Sequence, residues 1–301
     1  MIAGGGVAGL SAAVAAARLG RSTLVLTGDV LGGLLVSIDR VDGFPGFTDG
    51  IPGYELCPMI QEQAVASGVQ FAAACLDGLE RRDGAWQVTS GNDRLRVRAV
   101  IVATGATLKA LDVPGAARLF GKGVSQCASC DAPLVRNRTV AVVGGGDSAL
   151  QEALTLAEFA ERVIVLQRGG QLTGQAAYRK RAADHPKIEL RFDSVVEEVL
   201  GADKVTAVRV RDAKGDAAFD LEVAALFVYI GLQPAAAFLT GQMQLDPFGC
   251  VPVDARMRTG LPGVFAAGVV RSGSAGRAAA SAGDGRFAAV AAERYLVDGE
   301  W

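Results

Sequence analysis

Two cysteines, Cys127 and Cys130, stand three positions apart, and a carboxylate, Asp131, follows directly. Cysteines at this spacing can close a disulfide within one turn of chain, and a helix start there would lower the pKa of one thiol. Asp131 could donate a proton to a departing thiolate, or be an ordinary surface charge. The alternatives for the pair itself are half of a zinc site and two inert core cysteines.

A zinc site needs two further ligands besides the cysteine pair. Apart from carboxylates, the remaining ligand types are three scattered cysteines, Cys57, Cys75 and Cys250, and the single histidine, His185. None of them is paired at ligand spacing, so we predict redox use of the pair and no metal site. The three other cysteines are predicted to be small buried hydrophobic residues, and His185 a turn residue.

Two glycine-rich motifs have the spacing of nucleotide-binding turns. The first is Gly4-x-Gly6-x-x-Gly9 and the second is Gly144-x-Gly146-x-x-Ala149. Glycines at this spacing allow a tight turn from strand to helix and let the backbone approach a pyrophosphate, which the helix N-terminus stabilises. Either motif alone is a weak signal, but two copies in the same context strengthen it.

Each motif lies between a predicted strand and a predicted helix. The first unit is predicted as a strand over 1–3, a helix over 11–19 and a strand over 22–26. The second is predicted as a strand over 139–143, a helix over 148–159 and a strand over 162–166. Strand, turn, helix and strand is the order of a parallel βαβ unit. The sequence therefore predicts an α/β protein with a duplicated nucleotide-binding unit.

Further elements are predicted between and after these units. They are an amphipathic helix over 55–67, strands over 85–89, 99–103 and 263–267, and a final helix over 283–296. Residues 109–114 are predicted to be a linker, and the charged run 80–83 a surface hairpin. Trp86 and Tyr229 lie within apolar strands and are predicted to be core residues.

The composition is that of a globular protein with a large core. Half of the 301 residues are hydrophobic and 39 are glycine, which points to two domains with many tight turns or nucleotide loops. The formal net charge of −2 excludes the basic surface of a nucleic-acid-binding protein. No apolar run reaches the roughly 18 residues of a membrane span, and the five cysteines are too few for a secreted disulfide framework. We therefore predict a soluble, cytoplasmic protein.

Over nearly its whole length the chain resembles the low-molecular-weight thioredoxin reductases. The matching segments occur in the family's order: 4–13 (GGGVAGLSAA), 32–33 (GG), 41–47 (VDGFPGF), 103–105 (ATG), 123–131 (GVSQCASCD), 142–149 (VVGGGDSA), 264–268 (VFAAG) and 291–296 (AAERYL). The resemblance implies an α/β fold with two Rossmann-like nucleotide-binding domains, the second inserted into the first. It implies a discontinuous FAD-binding domain over 1–110 and 241–301 and a second nucleotide-binding domain over 111–240.

The resemblance also implies a mechanism and an assembly. Electrons would pass from reduced FAD to a Cys127–Cys130 disulfide, and on to a thioredoxin-like protein or a small disulfide. Cys130 would face the flavin, Cys127 would attack the partner disulfide and Asp131 would manage the proton. A swing of one domain on the other would alternate the pair between flavin and partner, and the protein would be a homodimer.

Carried over residue by residue, the resemblance implies two sets of nucleotide-binding residues. The FAD set is Gly4, Gly6, Val7, Ala8, Gly9, Thr27, Gly32, Gly33, Leu34, Thr104, Gly105, Gly268, Val269, Arg277, Ala278 and Ala279. The set for the second nucleotide is Gly144, Gly146, Asp147, Ser148, Gln167 and Arg168.

Four positions depart from the family where it places polar groups near the flavin. They are Leu34, Gly43, Val269 and Ala278, although Arg277 remains and the pyrophosphate glycines are intact. We therefore expect a dinucleotide to bind with its ring held by fewer hydrogen bonds, each worth about 1 kcal/mol. The alternative is that backbone amides and water molecules replace those bonds.

The second nucleotide site departs as well. NADPH-using members carry a histidine and three arginines after the second strand, whereas residues 167–170 read QRGG and Thr173 replaces the last arginine. Only Arg168 remains of the three. A site for NADH would prefer a carboxylate where Gln167 stands. The basic run 179–181 could substitute, or form a solvated helix face.

Three hypotheses follow. The first is an FAD-dependent disulfide oxidoreductase that uses NADPH, although the departures at the second nucleotide site put this electron donor in question. The second keeps the cysteine chemistry but draws electrons from ferredoxin or a second bound FAD. The third is a degenerate nucleotide-binding protein without enzymatic activity, against which the retained cysteine pair and Asp131 argue.

Overall fold

A computed structural model of the chain describes residues 1–215 and 217–301. Within them the strands are β1 (Ile2–Ala3), β2 (Leu24–Leu26), β3 (Gln70–Ala72), β4 (Gly78–Arg82), β5 (Ala85–Ser90), β6 (Asp93–Val97), β7 (Val100–Val102), β8 (Ala106–Leu108), β9 (Val124–Ser125), β10 (Thr139–Val143), β11 (Arg162–Leu166), β12 (Ile188–Arg191), β13 (Ser194–Leu200), β14 (Ala207–Asp212), β15 (Ala218–Glu222), β16 (Leu226–Val228), β17 (Leu232–Pro234) and β18 (Val264–Ala266). The α-helices are α1 (Val7–Arg18), α2 (Gly53–Ala66), α3 (Ala128–Asp131), α4 (Asp147–Phe159), α5 (Ala176–Ala183) and α6 (Ala278–Asp298). Short 3₁₀ helices span Gly33–Ser37, Ala132–Val135, Ala237–Leu239 and Gly268–Val270.

The described chain divides into two compact units, one of which is built from two separate segments. Unit 1 comprises Met1–Thr107 and Gln233–Trp301, and unit 2 comprises Leu108–Leu232. The chain passes from one unit to the other within the short strands β8 and β17, which pair with each other.

Unit 1 is centred on a parallel sheet of order β18-β7-β1-β2-β3. One face packs against α1 and α6 through residues such as Ile2, Ile101 and Phe265. The other face packs against the antiparallel meander β4–β6, where Trp86 is buried as predicted. Since all five strands are parallel, the loops that follow them open at the same carboxyl edge.

Helices α1 and α6 lie side by side and run in the same direction. A Cβ on Gly285, early in α6, would lie 1.9 Å from the carbonyl oxygen of Ala8, early in α1. Further along the chain in both cases, Glu293 in α6 forms an ion pair with Arg21, which follows α1. The N-termini of α1 and α6 therefore point to the same end of the sheet.

Unit 2 repeats the pattern with a parallel sheet of order β12-β11-β10-β16-β9. One face carries α4 and α5, and its core includes Val142, Leu156 and Phe227. The other face packs against the antiparallel strands β13–β15. Leu111 and Val113 pack against this second core, and the whole of the predicted linker 109–114 lies within unit 2.

Some boundaries differ from the sequence prediction. Strands β10 and β11 have the predicted bounds, but α1 begins at Val7 rather than at residue 11, and α6 at Ala278 rather than at 283. Glycine and serine near both starts favoured loops there, because glycine loses the most backbone entropy in a helix. Packing between the two helices supplies the stability that these local sequences lack.

Gly285→Ala should destabilise the protein, because the new methyl group would overlap the Ala8 carbonyl oxygen. The cost should be on the order of 3 kcal/mol, as for other overpacked core positions. Gly283 is the matched control in the same helix, since no described atom lies within 4 Å of its Cβ position. Gly283→Ala should stabilise the protein by up to about 1 kcal/mol through helix propensity. Chemical denaturation measures both, and equal effects would contradict the close helix contact.

Candidate active site: a cysteine pair and two glycine loops

Cys127 and Cys130 form a disulfide in unit 2, with Cα atoms 5.3 Å apart. The pair lies where β9 ends and α3 begins. The backbone N–H of Cys130 donates to Cys127 Sγ at 3.2 Å, which makes Cys127 the N-cap of α3. Cys130 is exposed and Cys127 half-buried. The predicted disulfide is therefore present, at a surface that other groups can reach.

Local hydrogen bonds hold the cysteine segment in place. The Cys127 N–H donates to Ser125 Oγ at 3.1 Å, and Ser125 Oγ donates back to the Cys127 carbonyl oxygen at 3.3 Å. The Asp131 N–H donates to the same carbonyl oxygen at 3.2 Å. These bonds close a tight turn around Cys127.

Two buried polar side chains lie beneath the pair. Glu152 on α4 and Tyr229 after β16 are each 7% exposed, and both accept a hydrogen bond from the Ala128 N–H. Tyr229 is a core residue, as the sequence predicts, whereas nothing in the sequence analysis singles out Glu152. A signal was present, since Glu152 lies three residues after Ala149 and four before Leu156, on the apolar face of the helix.

The three other cysteines have different environments. Cys57 is buried as predicted, and burial raises the pKa of its thiol to about 11. The prediction is wrong for Cys75, which is exposed beside Asp29, and Cys250 is only half-buried. Local apolar sequence around Cys75 does not reveal that its side chain points outward at the end of β3. Among the described residues no group of three His, Cys, Asp or Glu side chains could hold a metal ion.

The first glycine loop, between β1 and α1, lies close to a neighbouring strand end. A Cβ on Gly4 would lie 2.1 Å from the carbonyl oxygen of Ala103, and a Cβ on Gly9 would lie 1.9 Å from that of Gly4. Both positions therefore require glycine. Gly6 differs, because the nearest described atom to its Cβ position is the Gly32 carbonyl oxygen at 4.0 Å. The loop thus presents bare backbone to an open space.

Other residues of the predicted FAD set gather around this loop. Gly5 N–H donates to the Thr27 carbonyl oxygen at 3.2 Å, and Gly32 N–H donates to that of Gly5 at 2.8 Å. A Cβ on Gly268 would lie 2.8 Å from Ala8 Cβ. Three further groups of the set adjoin these contacts: Gly33 and Leu34 in the 3₁₀ helix after Gly32, Thr104 and Gly105 after β7, and Arg277, Ala278 and Ala279 at the start of α6.

A buried ion pair fixes the loop that follows β18. The Asp284 carboxylate on α6 accepts bonds from Arg271 Nε at 2.7 Å and Nη2 at 2.8 Å, and from the Gly268 N–H at 3.1 Å. Sequence analysis did not identify Arg271 or Asp284. Their contact holds the backbone N–H of Gly268, the residue before Val269.

The first loop fits the diphosphate of a dinucleotide. The first N–H groups of a helix have no partner within the helix and attract anions. Both α1 and α6 point such N-termini at the same end of unit 1, and within the described residues of their first turns neither carries an acidic side chain. The glycine cradle and the two helix ends therefore match the negative charge of FAD. Gly43, the remaining position that departs from the family, has more open surroundings, since no described atom lies within 4 Å of its Cβ position.

The second glycine loop, between β10 and α4, contacts a neighbouring strand end in the same way as the first loop, but a side chain lies over it. A Cβ on Gly144 would lie 2.2 Å from the Tyr229 carbonyl oxygen, just as a Cβ on Gly4 would lie 2.1 Å from the Ala103 carbonyl oxygen. The Gln167 side chain lies over Gly145, 2.7 Å from its Cβ position, and its amide donates to the Gln171 carbonyl oxygen at 3.0 Å. The loop is therefore partly covered by the protein's own residues.

Charge at the second loop is limited. Asp147, at the start of α4, accepts a bond from the Gln175 N–H at 2.6 Å. Arg168 is exposed. Lys180, in the basic run that could have substituted for the missing arginines, is paired with Asp184 at 2.6 Å. The described contacts thus place an acid at this helix start and tie one of the nearby bases to a carboxylate.

Comparison with known proteins agrees with this geometry. The family described as pyridine nucleotide-disulphide oxidoreductase matches residues 1–285. The thioredoxin reductase of Treponema pallidum is 36% identical over 296 residues, covering 98% of this chain and 96% of that protein. That of Streptomyces coelicolor is 39% identical over 302 residues, covering 98% and 93%. The crystal structure of Lactococcus lactis thioredoxin reductase has a TM-score of 0.96 at 34% identity, covering 99% and 98%.

The chain belongs to the pyridine nucleotide-disulphide oxidoreductase family. Within that family it is a relative of the low-molecular-weight thioredoxin reductases. It is an FAD-dependent disulfide oxidoreductase, as the first hypothesis predicted, and the predicted α/β fold with two Rossmann-like nucleotide-binding domains is confirmed. None of its described helices is long and apolar enough to cross a membrane.

Proposed function

We propose that this oxidoreductase passes electrons from FAD to the Cys127–Cys130 disulfide and then to the disulfide of a thioredoxin-like protein. The observation that carries the proposal is the accessible disulfide followed by Asp131, in a chain that also has a glycine loop suited to FAD. The relatives in Treponema pallidum and Streptomyces coelicolor are thioredoxin reductases, which supports a protein disulfide as substrate.

Unit 1 is the proposed FAD-binding domain. The backbone of Gly4, Gly6 and Gly9 and the N-terminus of α1 would hold the diphosphate, and the residues around them the rest of the cofactor. When bound, FAD supplies a ring that takes up two electrons from a nicotinamide and gives them to a disulfide. The apolar side chains of Leu34, Val269 and Ala278 would offer the ring no hydrogen bond, so backbone groups would have to provide the bonds that orient it.

The cysteines have distinct proposed roles. Reduction breaks the S–S bond with two electrons and two protons, and Cys130 would be the sulfur that faces the flavin. The Cys127 thiolate then attacks the partner disulfide and forms a mixed disulfide. Cys130 attacks Cys127 Sγ and releases the reduced partner, while Asp131 exchanges the proton with the leaving thiolate. The cycle ends with the pair oxidised again.

Unit 2 is the proposed site of the electron donor. Gly144, Gly146, Asp147, Ser148, Gln167 and Arg168 are the residues proposed to contact it. Family membership favours a nicotinamide nucleotide, with NADPH as the donor to be tested first. The covered loop and the single Arg168 leave two further candidates, ferredoxin and a second FAD.

Anaerobic addition of NADPH to the purified protein should bleach the visible band of the bound flavin within seconds. A nicotinamide nucleotide held by the second loop can reduce the flavin directly. NADH serves as the matched control, since it lacks only the 2′-phosphate that Arg168 would contact. A flavin that stays oxidised with both nucleotides would contradict a nicotinamide donor. Release of two flavins per chain would then identify a second FAD.

Cys130→Ser should abolish reduction of a thioredoxin while the flavin stays bound, with a loss of at least about a thousandfold in kcat because no disulfide can form. Cys75→Ser is the control, since Cys75 is an exposed thiol in unit 1 outside the proposed site. The rate of thioredoxin reduction and the flavin content are measured in the same samples. Normal turnover by Cys130→Ser would rule out the proposed role of the pair.

Leu134→Ser should distinguish a protein partner from a small disulfide. Leu134 lies four residues after Cys130 and is 80% exposed, so a docked protein can cover it. The KM for a thioredoxin should rise about tenfold, as expected for losing a buried leucine, with no change for a small aromatic disulfide. Phe248→Ser is the control, since Phe248 is 81% exposed but lies in unit 1. Equal KM values for a thioredoxin in the wild type, Leu134→Ser and Phe248→Ser would argue against docking at Leu134.

Assembly and location follow from the same proposal. Exposed apolar side chains on α2 and α6, including Tyr54, Met59 and Phe287, support a homodimer formed through unit 1. Sedimentation equilibrium distinguishes this dimer from a monomer. The cytoplasm is the proposed location, because a disulfide reductase with three unpaired cysteines suits a reducing compartment.

A further inference from the structure

A closed triangle of hydrogen bonds lies beneath the cysteine pair. The N–H of Ala128, directly after Cys127, donates to the Tyr229 hydroxyl at 3.0 Å and to Glu152 Oε2 at 3.2 Å. The Tyr229 hydroxyl donates to the same carboxylate oxygen at 3.3 Å. The three groups come from α3, the end of β16 and α4, and all are buried. Tertiary packing therefore joins the peptide between the cysteines to a buried acid.

Burying the Glu152 carboxylate costs free energy of folding. A buried carboxylate requires donors around it, and well-packed apolar residues often stabilise a core as well or better. Burial, followed by the charge of Glu152, raises the pKa of Tyr229 far above its usual value, and Asp131 adds to the rise. The hydroxyl therefore keeps its proton and donates to Glu152.

Several charged groups lie on the elements around α4. Arg181, on the adjoining α5, lies over the ring of Tyr178 at 5.8 Å from its centre. Lys187 Nζ donates to carbonyl groups at the C-terminal end of α4, more than a helical turn from Glu152. Glu189, on the adjoining β12, is paired with arginines. Asp131, at the end of α3, is another acid that acts on the triangle. Two acids, Glu152 and Asp131, therefore act on the groups that hold the Ala128 peptide.

We propose that Glu152 and Tyr229 are positioning residues for the Cys127–Cys130 pair. They hold the Ala128 peptide in place while the S–S bond opens and closes, and the Glu152 carboxylate makes the thiols of the reduced pair less acidic. Reduction adds two electrons and two protons to the disulfide, and one thiol must then lose a proton before it attacks a partner. A nearby negative charge opposes that loss. The inference rests on the proposed redox role of the pair.

The first test is the pH dependence of thiol reactivity in Glu152→Gln. The full-length protein with its flavin is reduced with a phosphine, freed of it anaerobically and pulsed with iodoacetamide, and mass spectrometry follows Cys127 and Cys130 separately. Glutamine keeps an acceptor for the Ala128 N–H but removes the charge. The midpoint of the more acidic thiol should fall by about one pH unit, or about tenfold in acidity. Glu158→Gln, an exposed position on the same helix, should leave it unchanged.

The second test uses Tyr229→Phe, which keeps the ring and removes the hydroxyl. Ala128 N–H then loses one of its two acceptors, so hydrogen exchange at this amide should accelerate about tenfold. Exchange at the helix α4 amides is the internal control for overall folding. Unchanged exchange would overturn the positioning role, even if Glu152→Gln fails to fold.

The outcomes separate this inference from the proposed function. If wild-type protein reduces a thioredoxin and Glu152→Gln leaves the thiol midpoint unchanged, the role assigned to Glu152 is wrong and the redox role of the pair stands. If Cys130→Ser retains full turnover, the proposed function fails whatever the thiol midpoints are. A fall of the midpoint in both Glu152→Gln and Glu158→Gln would also overturn the inference, because the effect would then be one of general surface charge.

Discussion

The carbonyl oxygen that follows a parallel strand lies against the first glycine of each nucleotide-type loop, and this contact determines where the adjoining helix begins. In unit 1 the oxygen belongs to Ala103, and in unit 2 it belongs to Tyr229. Gly4 and Gly144 both have a positive φ there, at 117° and 130°. Because neither loop can move away from its neighbouring strand, α1 and α4 start at the carboxyl edge of their sheets. Helix N–H groups are thereby presented where a diphosphate can bind.

In unit 2 the residue that makes this contact, Tyr229, also connects the glycine loop to the cysteine segment. Tyr229 supports the glycine loop with its carbonyl oxygen and the cysteine segment with its hydroxyl. Glu152 lies on the helix that the glycine loop begins, and it reaches the same Ala128 peptide. One short stretch of strand and one helix therefore support both the glycine loop and the cysteine segment. A substitution in either element would therefore alter the surroundings of both the disulfide and the glycine loop.

The two glycine loops are alike in backbone but differ in what surrounds them. The first has two helix N-termini and an open side at Gly6, with the Arg271–Asp284 ion pair fixing the adjoining loop. The second carries Asp147 at its helix start and the Gln167 side chain above Gly145. A shared fold thus produces one glycine loop beside two helix N-termini without acidic side chains, and one that Gln167 partly covers and that Asp147 adjoins. The difference comes from side chains and not from the sheet.

Sequence alone determined the features that depend on local spacing. The cysteine pair, both glycine motifs and the bounds of β10 and β11 follow from residues a few positions apart, because a turn or strand is decided by near neighbours. Tertiary structure alone decided the position of Glu152 and Tyr229, which lie 24 and 101 residues from Ala128. It also decided the exposure of Cys75 and the early starts of α1 and α6. Contacts between distant segments arise from packing, and no local pattern specifies which buried side chains will meet.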